Sequence, residues 1–116
     1  MSESAGIPQE LGNVRIRVKD LQNVVHTLRG LSCGKNGILS FKKGTLNYNI
    51  PISSIKKISL ISKSEERVKL KVTFNGKAEE FEMSANTRCF SRSEIGTVSF
   101  YIKEIKEIEL LQGETK

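Results

Sequence analysis

The chain has 116 residues, 37% hydrophobic and 28% charged, with a formal net charge of +6. That length makes one domain with one modest core, and no apolar run approaches the roughly 20 residues that a membrane-spanning helix needs. Met1 to Gly12 has neither a basic nor an apolar signal region, which favours the cytoplasm and leaves open an exported chain trimmed of its signal.

Residues 1–12 read as a flexible lead-in. From Asn13 to Lys19, Val14, Ile16 and Val18 alternate with Arg15, Arg17 and Lys19, the pattern of a half-buried strand. Asp20 to Gly30 has two readings. Leu21, Val24, Val25 and Leu28 fit a helical stripe capped by Asp20 and stopped by Gly30. The poor helix formers Asn23 to Thr27 fit a strand over Val24 to Leu28 instead. Leu31 to Gly37 is expected to be a loop and Ile38 to Phe41 a short strand. Lys42-Lys43-Gly44 makes a turn, and Thr45 to Ile50 the next strand, with Leu46, Tyr48 and Ile50 inward. Pro51 ends regular pairing, Ser53-Ser54 turns, and Lys57 to Ile61 continues extended. Ser62 to Glu66 is a polar connector.

The pattern then starts again. Over Arg67 to Phe74, Val68, Leu70, Val72 and Phe74 point one way and Arg67, Lys69, Lys71 and Thr73 the other. Asn75-Gly76 is the strongest hairpin signal of the chain, and Ala78 to Met83 returns from it. Ser84 to Ile95 is expected as a polar loop, followed by strands over Thr97 to Ile102 and Glu107 to Leu111. Residues 112–116 are expected to fray. Gly44 to Leu60 matches Gly96 to Leu110 once the Pro51-Ile52 pair is set aside, with Leu46, Tyr48 and Ile50 falling on Val98, Phe100 and Ile102. A repeat of this length is a statement about fold. It predicts an all-β barrel or sandwich of about nine short strands, built from two related halves, 13–62 and 67–111, in one domain. The six residues just named should be buried together.

The residues that carry chemistry are few. His26 is the only histidine, so a serine or threonine nucleophile has one base at most. No nucleophile elbow, phosphate loop, dinucleotide motif or zinc-protease motif occurs. Adjacent carboxylates such as Glu65-Glu66 and Glu79-Glu80 face opposite ways on a strand. Cys33 and Cys89 with His26 fall short of the four ligands of structural zinc, and whether the two cysteines pair is left open. No enzyme, cofactor or metal site is therefore expected.

The most specific polar feature is a pair of basic rows, Arg15, Arg17 and Lys19 with Arg67, Lys69 and Lys71. Side chains two apart on a strand stand about 7 Å apart, close to a phosphate spacing. Lys42 and Lys43, with Lys35 nearby, add a basic loop tip. These residues are candidates for nucleic acid or anionic lipid. They equally describe solvated outer faces and a solubilised turn. Only Tyr101 and Phe90 are out of core phase and available to stack on a base.

The segment ILSFKKGTLNYNIPISSIKKISLI resembles bacterial pleckstrin-homology-like domains, in which a corner carried here by Ile50, Pro51, Ile52, Ser53 and Ile55 joins two strands. GTVSFYIKEIKEIEL is also similar to uncharacterised bacterial β domains ending in a comparable Ile-Lys-x-Ile phrase. The chain departs from the pleckstrin-homology pattern by repeating the unit and by lacking a long C-terminal helix, so no ligand site carries over. The resemblance implies a non-enzymatic binding or scaffolding domain. A protein partner is the first expectation and a polyanion the alternative.

Overall fold

The computed structural model describes residues 14–34 and 37–111. The expected lead-in, the C-terminal tail and Lys35 lie outside them. In chain order the strands are β1 (Arg15–Asp20), β2 (Val25–Cys33), β3 (Ile38–Lys43), β4 (Leu46–Pro51), β5 (Lys57–Lys63), β6 (Arg67–Thr73), β7 (Ala78–Ser84), β8 (Arg88–Ser93), β9 (Gly96–Tyr101) and β10 (Ile105–Leu111). Two 3-10 turns, Ile52–Ser54 and Ile102–Glu104, join β4 to β5 and β9 to β10. All ten strands form one antiparallel sheet in the order β4-β3-β7-β6-β5-β10-β1-β2-β8-β9.

Alternation is the local cause of β1 and β6. Ile16, Val18, Val68, Leu70 and Val72 are essentially sealed from solvent, and the cations between them are outside. After β6, Gly76 takes φ +93° and the Phe74 N–H donates to the Lys77 carbonyl at 2.7 Å, closing the hairpin signalled by Asn75-Gly76. The helix alternative over 20–29 is not realised. Asp20 does accept two backbone hydrogen bonds, from Gln22 at 2.8 Å and Val24 at 3.0 Å. Asn23, however, turns into the left-handed region at φ 67°, so those bonds cap a tight turn and β2 follows.

Two stretches expected as loops are strands. β2 runs through Leu31, Ser32 and Cys33, all buried. A bulge between Arg29 and Ser32, with Gly30 at φ 79°, shifts its phase. An extra residue of this kind breaks the two-residue period on which a sequence reading depends. β8 lies inside the stretch Ser84 to Ile95. Its inward residues are Cys89 and Ser91, and a buried serine does not announce a core position.

The strand order reads the same from either end when β1 to β5 are matched with β6 to β10. The ladder also corrects the register of the repeat. Ser93 pairs Gly96 as Lys43 pairs Leu46, so Leu46, Tyr48, Ile50 and Ile52 correspond to Gly96, Val98, Phe100 and Ile102 with no residue set aside. Nor are the six named residues buried together. β4 and β9 are the two opposite edges of the sheet, with neighbours on one side only among the described residues. Leu46 is 62% exposed and Tyr48 40%, whereas Phe100 and Ile102 are buried.

Only Ile52 to Lys56 separates β4 from β5, although β3, β7 and β6 lie between them in the sheet. In a flat sheet, four spacings of about 4.8 Å would hold these strands roughly 19 Å apart, which is a long reach for a segment that includes a 3-10 turn. The sheet therefore curls at each end like a half-barrel around its apolar face. Ile52 and Ile55 plug one curl and Ile102 and Ile105 the other, all buried. One core cluster runs through both.

Candidate functional site

The outer face of the curl carries the basic rows, and the topology keeps them apart. β5 and β10 stand between β6 and β1. Carboxylates on neighbouring strands meet several of the cations: Arg17 with Glu109 at 3.1 Å, Arg67 with Glu82 at 3.1 Å, Lys69 with Glu80 at 3.7 Å. Arg15, Lys19 and Lys71 have no carboxylate partner among the described residues. Exposed pairs of this kind contribute about 0–1 kcal/mol each, so their main effect is to neutralise the field of the rows.

At the loop tip the two lysines part company. Lys43 donates to Glu79 at 2.8 Å and lies 5.3 Å from the centre of the Phe81 ring. That hydrogen bond raises the Lys43 ammonium above its ordinary value and holds the Glu79 carboxyl below its own, with the Lys77 ammonium adding to the second effect. Lys42 stands opposite Glu82 in the β3–β7 pairing, with Asn47 on its other side.

His26 is on the surface, its Nε2 3.1 Å from Asp20 Oδ2. The hydrogen bond from His26, followed by that from the Val24 N–H, holds the Asp20 carboxyl below its ordinary value. The pair sits at the mouth of a cleft of about 430 Å³ floored by Leu28, Val98, Phe100 and Ile105. Ser99 also lines it, but its Oγ accepts a hydrogen bond from Arg88 Nη2 at 3.2 Å. Cys33 and Cys89 are joined in a disulfide, with Cα atoms 4.1 Å apart across the β2–β8 ladder.

Two features escaped the sequence reading. The first is the composition of the sheet edges. β4 (LNYNIP) and β9 (GTVSFY) contain no charged residue, while every other strand contains at least one. Only the topology marks these two as edges. The second is a concentration of cations on the outer face of β8 and β2. Arg88 stacks within 5.3 Å of the Phe90 ring centre and 5.8 Å of that of Tyr101. Arg29 and Arg92 are directly opposite each other.

In class, then, this is a small all-β domain made of one curled antiparallel sheet whose two edge strands have no further partner among the described residues. The chain belongs to a family described as uncharacterised protein, whose model matches residues 10–113. It is similar to an uncharacterized protein of Aquifex aeolicus (strain VF5), 36% identical over 115 residues, covering 98% of this chain and 87% of that one. No solved structure matches it. Neither match lends support to the pleckstrin-homology-like likeness or to the Ile-Lys-x-Ile phrase. The corner from which that likeness was drawn is one of two equivalent 3-10 turns, and the second, entered from Tyr101, has no proline.

Proposed function

We propose that this protein is a non-catalytic interaction module that receives an extended segment of a partner protein along an open sheet edge. The observation that carries this reading is the lack of charge in β4 and β9. Natural sheets guard exposed edges with lysines, inward charges, prolines or very short strands, because an open row of N–H and C=O groups pairs with any extended chain. In a chain with 28% charged residues, the two edge strands are the two without charge, and each is six residues long. Pro51 guards only the last position of β4. Strand addition draws its affinity from main-chain hydrogen bonds and its selectivity from alternate side chains. Leu46 and Tyr48 on β4, and Ile95 beside β9, offer exposed apolar contacts for that purpose.

The test is capture and cross-linking of partners by the wild type and by two charged-edge variants, Asn47→Lys with Asn49→Lys and Thr97→Lys with Ser99→Lys. These side chains are exposed, so melting temperatures should stay close to wild type. At least one variant should lose the captured protein, and cross-links should map to the altered edge. Capture that survives in both variants overturns the reading.

A second reading, binding of a polyanion through the basic rows, is favoured by the lack of carboxylate partners for Arg15, Lys19 and Lys71 among the described residues. Its test is a salt series with oligonucleotides and anionic vesicles, in which each engaged phosphate contributes a log–log slope of about −0.7 to −0.9.

A further inference from the structure

We infer that the cleft between the β1–β2 turn and β9 is a binding site for a small aromatic cation, a flat apolar body carrying an ammonium group. The cleft holds about 430 Å³. Small-molecule sites commonly span about 300–1,000 Å³ and combine an apolar lining with a few placed polar groups. Here the buried Val18, Leu28, Phe100 and Ile105 form the floor, with Val98 beside them.

The related half of the molecule shows what this place holds when side chains fill it. Val18 pairs with Ile108 on β10, and Val72 pairs with Ile58 on β5. Leu28 lies opposite Ile16, and Phe81 lies opposite Leu70. Leu28 therefore corresponds to Phe81, as Val98 does to Tyr48. Asp20 corresponds to Phe74, since each closes its hairpin turn: the Asp20 N–H donates to the Val24 carbonyl at 3.0 Å, and the Phe74 N–H to the Lys77 carbonyl at 2.7 Å. In that half the Phe81 and Tyr48 rings have their centres 5.3 Å apart, Phe81 is buried, and Phe74 packs against the same core. At the cleft, a leucine, a valine and an aspartate stand in place of those three rings. The one ring gained is Phe100, where the related half has Ile50. An aromatic ligand would supply the missing bulk and has Phe100 to pack against.

Charge selects the rest of the ligand. In a chain of net charge +6, the cleft is lined by two carboxylates, Asp20 and Glu104, and by no lysine or arginine. The hydrogen bond from His26, then that from the Val24 N–H, holds Asp20 ionised at neutral pH. Glu104 accepts the Tyr101 N–H at 3.1 Å and has no ion-pair partner among the described residues. Arg88 reaches Ser99 at the rim, but its guanidinium lies on the outer face against the Phe90 and Tyr101 rings. The rim is also preformed. The Leu21 N–H donates to the Glu104 carbonyl at 3.2 Å, which ties the β1–β2 turn to the second 3-10 turn and leaves little to order on binding.

The site is a cavity inside the curl and does not rest on the edge-strand reading. The test is titration at pH 7, followed by calorimetry and methyl-resolved NMR, with tryptamine, its neutral counterpart 3-ethylindole and its anionic counterpart indole-3-propionate. Tryptamine should bind with a Kd below about 1 mM, with 3-ethylindole weaker and indole-3-propionate weakest. The shifts should centre on the methyl groups of Val18, Leu28, Val98 and Ile105. Leu28→Phe with Val98→Tyr, which installs the rings of the related half, should abolish binding and keep the fold. Val98→Phe alone, a smaller change, should weaken binding about fivefold or more. Glu104→Gln, which keeps an acceptor for the Tyr101 N–H, should weaken tryptamine about threefold and leave 3-ethylindole unchanged. Asn47→Lys with Asn49→Lys should leave all binding intact. Tryptamine binding weaker than about 1 mM, indole-3-propionate binding as tightly as tryptamine, or full binding by the ring-filled variants would each overturn the assignment.

Discussion

Ser91 is 0% exposed, and its single hydroxyl proton faces two carbonyl oxygens, those of Arg29 and Gly30. Ser91→Ala leaves both acceptors facing a methyl group in the core. The expected loss is about 1–3 kcal/mol, measured as a shift in the urea midpoint with an unchanged slope. Asp20 gives the matching surface case. Its carboxyl is depressed by the His26 hydrogen bond and then by the Val24 N–H. A depressed carboxylate stabilises the fold above the ordinary aspartate value of about 3.9, and that contribution is lost as the pH falls below it. Asp20→Asn should therefore be less stable than wild type at pH 7, with the difference shrinking as the pH falls below the ordinary aspartate value and through the lowered folded one. Equal stability of the two proteins at pH 7 would refute this. Neither role was legible in the sequence. Asp20 read as a helix cap because the same side-chain bonds serve a turn, and Ser91 read as loop because its partners lie on a strand distant in the chain.

Strands that alternate cleanly were legible. β1, β6 and β7 follow from residue type alone, because each has one face in the core and one in water. The strands that were missed or cut short share a different cause. β8 has a serine and a cysteine as its inward residues, and β2 changes phase at its bulge. Both are placed by tertiary pairing, and the disulfide ties them together. It joins positions 56 residues apart, a span over which cross-linking the unfolded chain contributes about 2–4 kcal/mol. Reduction, or Cys33→Ser with Cys89→Ser, should lower the unfolding free energy by that amount without changing the strand signal in circular dichroism. If reduced and oxidised protein unfold at the same denaturant concentration, the bond does not stabilise the fold. Persistence of such a bond calls for an oxidising compartment or a protected site, which bears on the expectation of a cytoplasmic location.

At the scale of the molecule, the two sequence halves are not two spatial halves. One end of the sheet holds β1 and β2 from the first with β8, β9 and β10 from the second. The other end holds β6 and β7 from the second with β3, β4 and β5 from the first. The alternation of the strands was legible in the sequence, but this exchange was not, because the same alternation permits each hairpin to pair within its own half or across. A fragment ending at Ser64 would hold the β1–β2 hairpin without β10 and β8, and the β3–β4 hairpin without β7. Isolated two-stranded hairpins are marginal in water, and their apolar faces, including Ile16, Val18, Leu39 and Phe41, would be uncovered. Either fragment alone, 1–64 or 65–116, should thus be unfolded or self-associate by supplying the missing strands from a second copy. Mixed under oxidising conditions, the two should assemble one to one and recover the cooperative unfolding of the intact chain. Circular dichroism and light scattering on the separate and mixed fragments decide it. A stable folded monomer from either fragment would show that its strands can close within one half, and the exchanged pairing of β2 with β8 and of β3 with β7 would then not be what specifies this fold.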